Sequence, residues 1–263
     1  MKRFLCLFPI ILVLASSSAF AASPAARWTG CYIDGAVGYG FWKQDHYTET
    51  YPPPVLLTTS TNNGGDGWLG TLGAGCDYQV TARFVVGAFG DYDFMSLNGS
   101  SEFIVPGTFA LPDPTFSGNQ RESGAWGAGA RVGFLVTTSL LAYVNGGYTQ
   151  ARFDQVGFGD LAAPFTPNIY SMPAHTFQGW FIGGGTEYAL DSDWVGIAGL
   201  SWRTEYRFSS YGAADLPVSV TTSGIPTGLA ENVQHTVQTV TTGLVWRFNF
   251  GAPAAPPPLA TKY

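Results

Sequence analysis

The chain has 263 residues, of which 11% are charged and 15% aromatic, with 34 glycines and a formal net charge of −6. Ordinary soluble domains carry about 25% charged residues, so this composition poorly suits a surface bathed in water, and the anionic balance argues against nucleic-acid binding, which needs a basic face. The apolar residues never form an uninterrupted run long enough for a membrane-spanning helix, which takes about 20 residues.

Residues 1–21 read as a cleaved signal peptide. Lys2 and Arg3 precede an apolar run from Phe4 to Leu14, and Ala19-Phe20-Ala21 supplies an A-x-A cleavage site. After it, helical periodicity is missing and alternation dominates, which is the strand signal. Eight segments follow in chain order: Trp28–Trp42, Trp68–Tyr78, Phe84–Phe94, Gly124–Val136, Leu140–Phe153, Phe177–Leu190, Trp194–Phe208 and Val237–Phe250. In the first, Ile33, Val37, Tyr39 and Phe41 share one face while Asp34, Ala36, Gly38 and Gly40 share the other. The fourth sets Trp126, Ala128, Val132 and Phe134 against Gly127, Gly129 and Arg131; the seventh sets Leu200, Trp202, Tyr206 and Phe208 against Ser201, Arg203, Glu205 and Arg207.

The gaps alternate as well. Residues 79–83, 137–139 and 191–193 are short connections; residues 43–67, 95–123, 154–176 and 209–236 are long ones. An even strand count with short turns at one end and long loops at the other predicts an all-β fold, an eight-stranded antiparallel transmembrane barrel over residues 22–250. Only a closed barrel leaves no strand edge unpaired in lipid. A soluble β-sandwich would need many charged residues on its polar face, and here that face is mostly Gly and Ala. Trp28, Trp42, Trp68, Trp126, Trp180, Trp194, Trp202 and Trp246 fit interfacial aromatic girdles. On parity, Asp34, Asp91, Asp93, Arg131, Glu187, Arg203, Glu205, Arg207 and Arg247 point into a lumen just wide enough for side chains to fill. Interleaved charges there can pair, which predicts an ion-pair network, a narrow lumen and little steady conductance.

Five stretches, WTGCYIDGAVGYGFW, GAWGAGARVGFLV, GWFIGGGTEYAL, TEYRFSSYG and GLVWRFNF, stand in order along the chain. Together they resemble the small outer-membrane β-barrel family of Gram-negative bacteria, whose members are called outer-membrane immunogenic or porin-family proteins. The resemblance implies an outer-membrane location among lipid and lipopolysaccharide, eight strands, and both termini in the periplasm. It also implies that the last strand, with Leu244, Trp246, Phe248 and Phe250 on its apolar face, is the signal read by the barrel-assembly machinery. Cys31 stands where an aromatic is more usual, and the Pro-rich stretch 251–263, read as an extended periplasmic tail, also departs from the family pattern.

Cys31 and Cys76 sit near neighbouring strand ends in an oxidising compartment. A cross-strand disulfide and two separate lipid-side thiols are both open on sequence grounds. Catalysis lacks a constellation: the histidines are His46, His175 and His235, with no hydroxyl–imidazole cluster on a strand rim, and the Gly-rich runs 127–131 and 183–185 lie in mid-strand. No resident cofactor is expected. The alternative reading is loop-mediated binding of haem or a surface glycan, carried by the three histidines with Tyr47, Tyr51, Tyr170 and Tyr211. A small-solute porin and a lipid A-modifying enzyme are lesser alternatives. The loop stretches PPPVLLTTST, EFIVPGTFAL and LPVSVTTS have strand character and are candidates to extend the barrel beyond the membrane.

Overall fold

A computed structural model describes residues 27–105, 115–160, 167–190 and 196–248. The expected signal peptide, Trp194, Phe250 and the Pro-rich tail lie outside the described residues. Eleven strands follow in order: β1 Gly30–Thr50, β2 Thr61–Gln79, β3 Phe84–Ile104, β4 Thr115–Leu135, β5 Leu140–Phe153, β6 Val156–Asp160, β7 Tyr170–Met172, β8 His175–Ala189, β9 Leu200–Tyr211, β10 Ala214–Val220 and β11 Pro226–Phe248. Eight of them form an antiparallel ring, β1-β2-β3-β4-β5-β8-β9-β11, and β1 closes it by pairing with β11 from Cys31↔Phe248 to Thr50↔Leu229.

The ring closes a second time at the long-loop end. There β6, β7 and β10 take over from β5, β8 and β9: β4 pairs with β6, β6 with β7, β7 with β10, and β10 with β11. The barrel therefore continues outward as β1-β2-β3-β4-β6-β7-β10-β11. The strand-like loop stretches enter this extension: Glu102–Ile104 completes β3 and Leu216–Val220 lies in β10. The first of them contributes a bridge, Leu56 to Glu49, and its last residue, Thr61, begins β2 opposite His46.

Strand length explains why the sequence boundaries fell short. β1, β3 and β4 have 21 residues and β11 has 23, whereas crossing the hydrocarbon takes about 9–11. About half of each long strand stands outside it, and there the sidedness of the alternation inverts. Along β1 the outward residues run Ile33, Val37, Phe41 and then Lys43, Asp45; the inward ones run Asp34, Gly38, Gly40 and then Trp42. Facing hydrocarbon, the strand turns its apolar side out. Facing water, it turns that side in. Trp42 is consequently buried in the interior rather than sitting in a girdle, and Trp28 is buried as well. Trp68, Trp126, Trp180, Trp202 and Trp246 are exposed on the outer wall. The seventh segment starts at Leu200 instead of Trp194 because Gly196 and Gly199, at φ of +75° and +80°, turn the chain before it. The eighth starts at Pro226 rather than Val237, well beyond the expected loop boundary.

Candidate functional site

The lumen is filled in layers. At the short-turn end lies an apolar cluster of Trp28, Val85, Leu135, Leu141, Tyr143 and Ala189. At the long-loop end lies a larger one that includes Trp42, Leu97, Phe103, Phe153, Phe158, Phe177 and Val237. Between them sits a belt of charge that holds all nine inward-parity residues.

The belt consists of two crosses stacked along the barrel axis. In the first, Arg131 (β4) donates through Nε to Asp77 (β2) at 2.9 Å, and Arg247 (β11) donates to the same carboxylate at 2.7 Å. Arg247 also donates to Glu187 (β8) at 2.9 Å, and Arg131 lies 3.3 Å from the same carboxylate. These four strands are every second member of the eight-stranded ring, so the cluster bridges the barrel from wall to wall. Side-chain exposure is 0% for Asp77 and Glu187, 2% for Arg131 and 4% for Arg247. Tyr32 lies 4.6 Å from the Arg131 guanidinium and 5.4 Å from that of Arg247, and Trp28 stacks under Arg247 at 5.0 Å. Such contacts partly replace the lost hydration of the cations.

The second cross uses the intervening strands, the alternation by which inward side chains of small barrels stack in layers. Asp34 (β1) pairs with Arg203 (β9), and Asp91 (β3) receives both terminal nitrogens of Arg207 (β9). Arg207 also bonds Glu205 at 2.9 Å, whose other oxygen accepts from Tyr143 (β5) at 2.7 Å. Asp93 accepts from the Thr71 hydroxyl at 2.5 Å. The inward glycines make room for this belt. A Cβ on Gly127 would stand 3.0 Å from an Asp91 oxygen and 3.4 Å from an Arg207 nitrogen, closer than most real contacts.

Four buried acids stand outside the nine inward-parity residues: Asp77, Glu122, Glu49 and Glu231. Asp77 shares β2 with the outward Cys76 and has the opposite parity, so its inward aim was legible once Cys76 was placed. Glu122 was not, because the β4–β5 pairing skips from Glu122↔Phe153 to Gly124↔Arg152, a bulge that resets parity at Ser123. Glu122 is fully buried, and neither of its oxygens has a partner among the described residues.

On the outer wall, Leu244 and Trp246 are exposed, and Phe248 meets Trp246 edge-on at 5.7 Å. Cys31 and Cys76 are opposite each other in the β1–β2 register and are joined by a disulfide.

The residues assigned to a ligand-binding loop set divide between the interior and the surface. His46, His235 and Tyr211 are buried because β1, β9 and β11 run past the expected loop boundaries and their alternation turns these side chains inward. His235 stacks on Phe153 at 3.8 Å, and Tyr170 packs on Phe103 and Phe116. Tyr51 is exposed, while Tyr47 and His175 are half-buried. His46 Nδ1 lies 2.8 Å from Glu231 and its Nε2 lies 3.0 Å from the Thr61 hydroxyl. That is the connectivity of a hydroxyl–imidazole–carboxylate relay, but Thr48 also donates to Glu231 at 2.5 Å, and the imidazole and carboxylate are each 2% exposed. The arrangement works as an internal clasp between β1, β2 and β11.

A family model described as the outer membrane protein beta-barrel domain matches residues 11–248. The 31 kDa outer-membrane immunogenic protein of Brucella melitensis is 26% identical over 212 residues, covering 78% of this chain and 81% of that protein. Among solved structures, the outer membrane protease OmpT from Escherichia coli superposes with a TM-score of 0.52 at 8% identity, covering 89% of this chain and 100% of that one. OprG from Pseudomonas aeruginosa does so with 0.51 at 12%, covering 84% and 97%. At such identities the two structures speak for the fold alone. The family match extends along nearly all of the ring just described, and with it the chain belongs to the outer membrane protein beta-barrel domain family and resides in the outer membrane.

Proposed function

We propose that this protein is a structural, envelope-associated barrel whose lumen is sealed, and that it works without catalysis. The observation that carries this reading is the Asp77–Arg131–Glu187–Arg247 cross, which ties every second strand together through the barrel axis with side chains no more than 4% exposed. A solute path would have to break that cross, and separating a buried ion pair is costly because it leaves charges uncompensated. Apolar clusters stand above and below the cross and oppose the entry of water from either end. The Brucella relative is named immunogenic; by analogy, the long-loop extension is the part of this chain displayed to the exterior.

Planar-bilayer recording of refolded protein tests the seal. Brief, irregular openings or silence are expected. Stable, long-lived channels with the conductance of a general porin would overturn the proposal.

A further inference from the structure

We propose that the outer wall of β4 and β5 carries a binding site for the phosphorylated headgroup of an outer-leaflet glycolipid, with Arg121 and Arg152 as its cationic arms. The site rests on the orientation adopted above, in which the long-loop end faces outward.

Three observations place it. First, the wall below the two arginines is an aromatic girdle: Trp126 packs on Tyr148 with ring centroids 5.6 Å apart and donates to Gln150 at 3.2 Å, and Trp180 is exposed two strands along from β4. Amphipathic rings of this kind sit at headgroup level, so residues just beyond them meet headgroups. Second, the bulge at Ser123 turns Glu122 inward and leaves Arg121 outward, with the exposed Arg152 diagonal to it on β5: Arg152 is opposite Gly124, while the Asp154 backbone N–H donates to the Arg121 carbonyl. Diagonal neighbours of an antiparallel pair lie about 7–8 Å apart, still within reach of long side chains, so the two arginines can converge on one phosphate, whose oxygens suit the planar guanidinium fork.

Third, the charge here is unbalanced. Among the described residues Arg121 is the arginine whose side chain has no partner, whereas the others are paired, bonded or stacked: Arg27 on the Leu190 carbonyl, Arg83 on Phe134, Arg152 on Asp154, and four in the lumen. Asp154 accepts from Ser123 at 2.9 Å and lies 3.9 Å from Arg152 Nε, so it offsets one of the two cations and faces the Nε edge of Arg152. The remaining positive charge faces sideways from the barrel wall at headgroup height. A partner there is a lipid rather than a soluble protein.

The test titrates lipid A bearing both phosphates into protein folded in an uncharged detergent and reads affinity by thermophoresis. Wild type is compared with Arg121→Gln, Arg152→Gln, the double variant, and Arg83→Gln at the short-turn end; heat-modifiable gel migration verifies folding of each. Each single substitution at the site should weaken binding roughly tenfold, the loss of about one charge-assisted hydrogen bond. The double variant should lose more and Arg83→Gln nothing. Dephosphorylated lipid A should bind wild type as weakly as the double variant binds the intact lipid. Equal affinity of wild type and double variant, or of the two lipids, overturns the site. Inorganic phosphate binding as tightly as lipid A overturns the lipid assignment. None of these readouts depends on whether the lumen conducts, so failure here is separable from failure of the sealed-barrel reading.

Discussion

Asp77→Asn is the sharpest probe of the lumenal cross. The carboxylate accepts from Arg131 Nε at 2.9 Å and from Arg247 at 2.7 Å. Neutralising it leaves two buried guanidiniums sharing the single charge of Glu187. Removing one partner of a buried ion pair costs about 3–5 kcal/mol, and the Asn amide recovers little because its nitrogen can only donate toward cations. A decrease of this size is a large part of the about 5–15 kcal/mol by which folded proteins are usually stable. The second arm of the experiment is Asp77→Asn combined with Arg247→Gln. One cation and one anion then remain, Arg131 and Glu187, already 3.3 Å apart. The double variant should be less destabilised than the sum of the single variants by at least about 1 kcal/mol, the signature of residues sharing a network. Urea titration of protein refolded into vesicles, followed by tryptophan fluorescence, measures all four species. If Asp77→Asn shifts stability by less than about 1 kcal/mol, or if the two substitutions simply add, the charges are hydrated independently and the cross does not seal the barrel.

Glu122 gives an effect of opposite sign. Its two oxygens are buried without partners, so Glu122→Met, which fills the same space without polar atoms, should raise unfolding free energy by about 1–3 kcal/mol in the same titration; a loss would mean that an unseen partner satisfies the carboxylate. At the chain end, deleting residues 251–263 should leave assembly intact while Phe250→Asp reduces it, because the proposed recognition of the last strand depends on its apolar outer face. Heat-modifiable folding in membranes reads both variants, and equal folded fractions would refute the assignment.

The barrel was legible because Asp34, Arg131 and Arg203 obey period two within segments whose other face is apolar; parity alone sends them inward, and the structure places their side chains in the lumen. Parity is a count, however, and a count fails where a residue is inserted. Ser123 shows this: one extra residue in β4 turns Glu122 inward and Arg121 outward, so no periodic reading of the fourth segment could have located either. The misplacement of Trp42 has a different cause. An outward tryptophan is expected for a strand bathed in hydrocarbon alone, whereas β1 passes through two solvents. Between Phe41 and Lys43 the medium outside the wall changes, and the face on which a tryptophan is favourable changes with it.

That inversion also explains why the long loops looked like loops. Beyond the membrane the outward positions of β1 carry Lys43 and Asp45, and the inward positions of the ring carry Trp42, Phe103, Phe116 and Phe158, the ordinary pattern of a soluble β-barrel. Joined to a lipid-facing strand of the opposite sense, the two halves cancel in any window spanning the junction, and the alternation disappears from view. One closed ring therefore passes through two solvents. Its membrane half is held inside by charge and its water-facing half inside by aromatic packing, because in each case the interior must complement what the wall turns outward. The charged belt sits at the level where the outer wall is most apolar. There ionic pairing can hold the interior together, since burying more apolar surface inside gains little when hydrocarbon already bathes the other side.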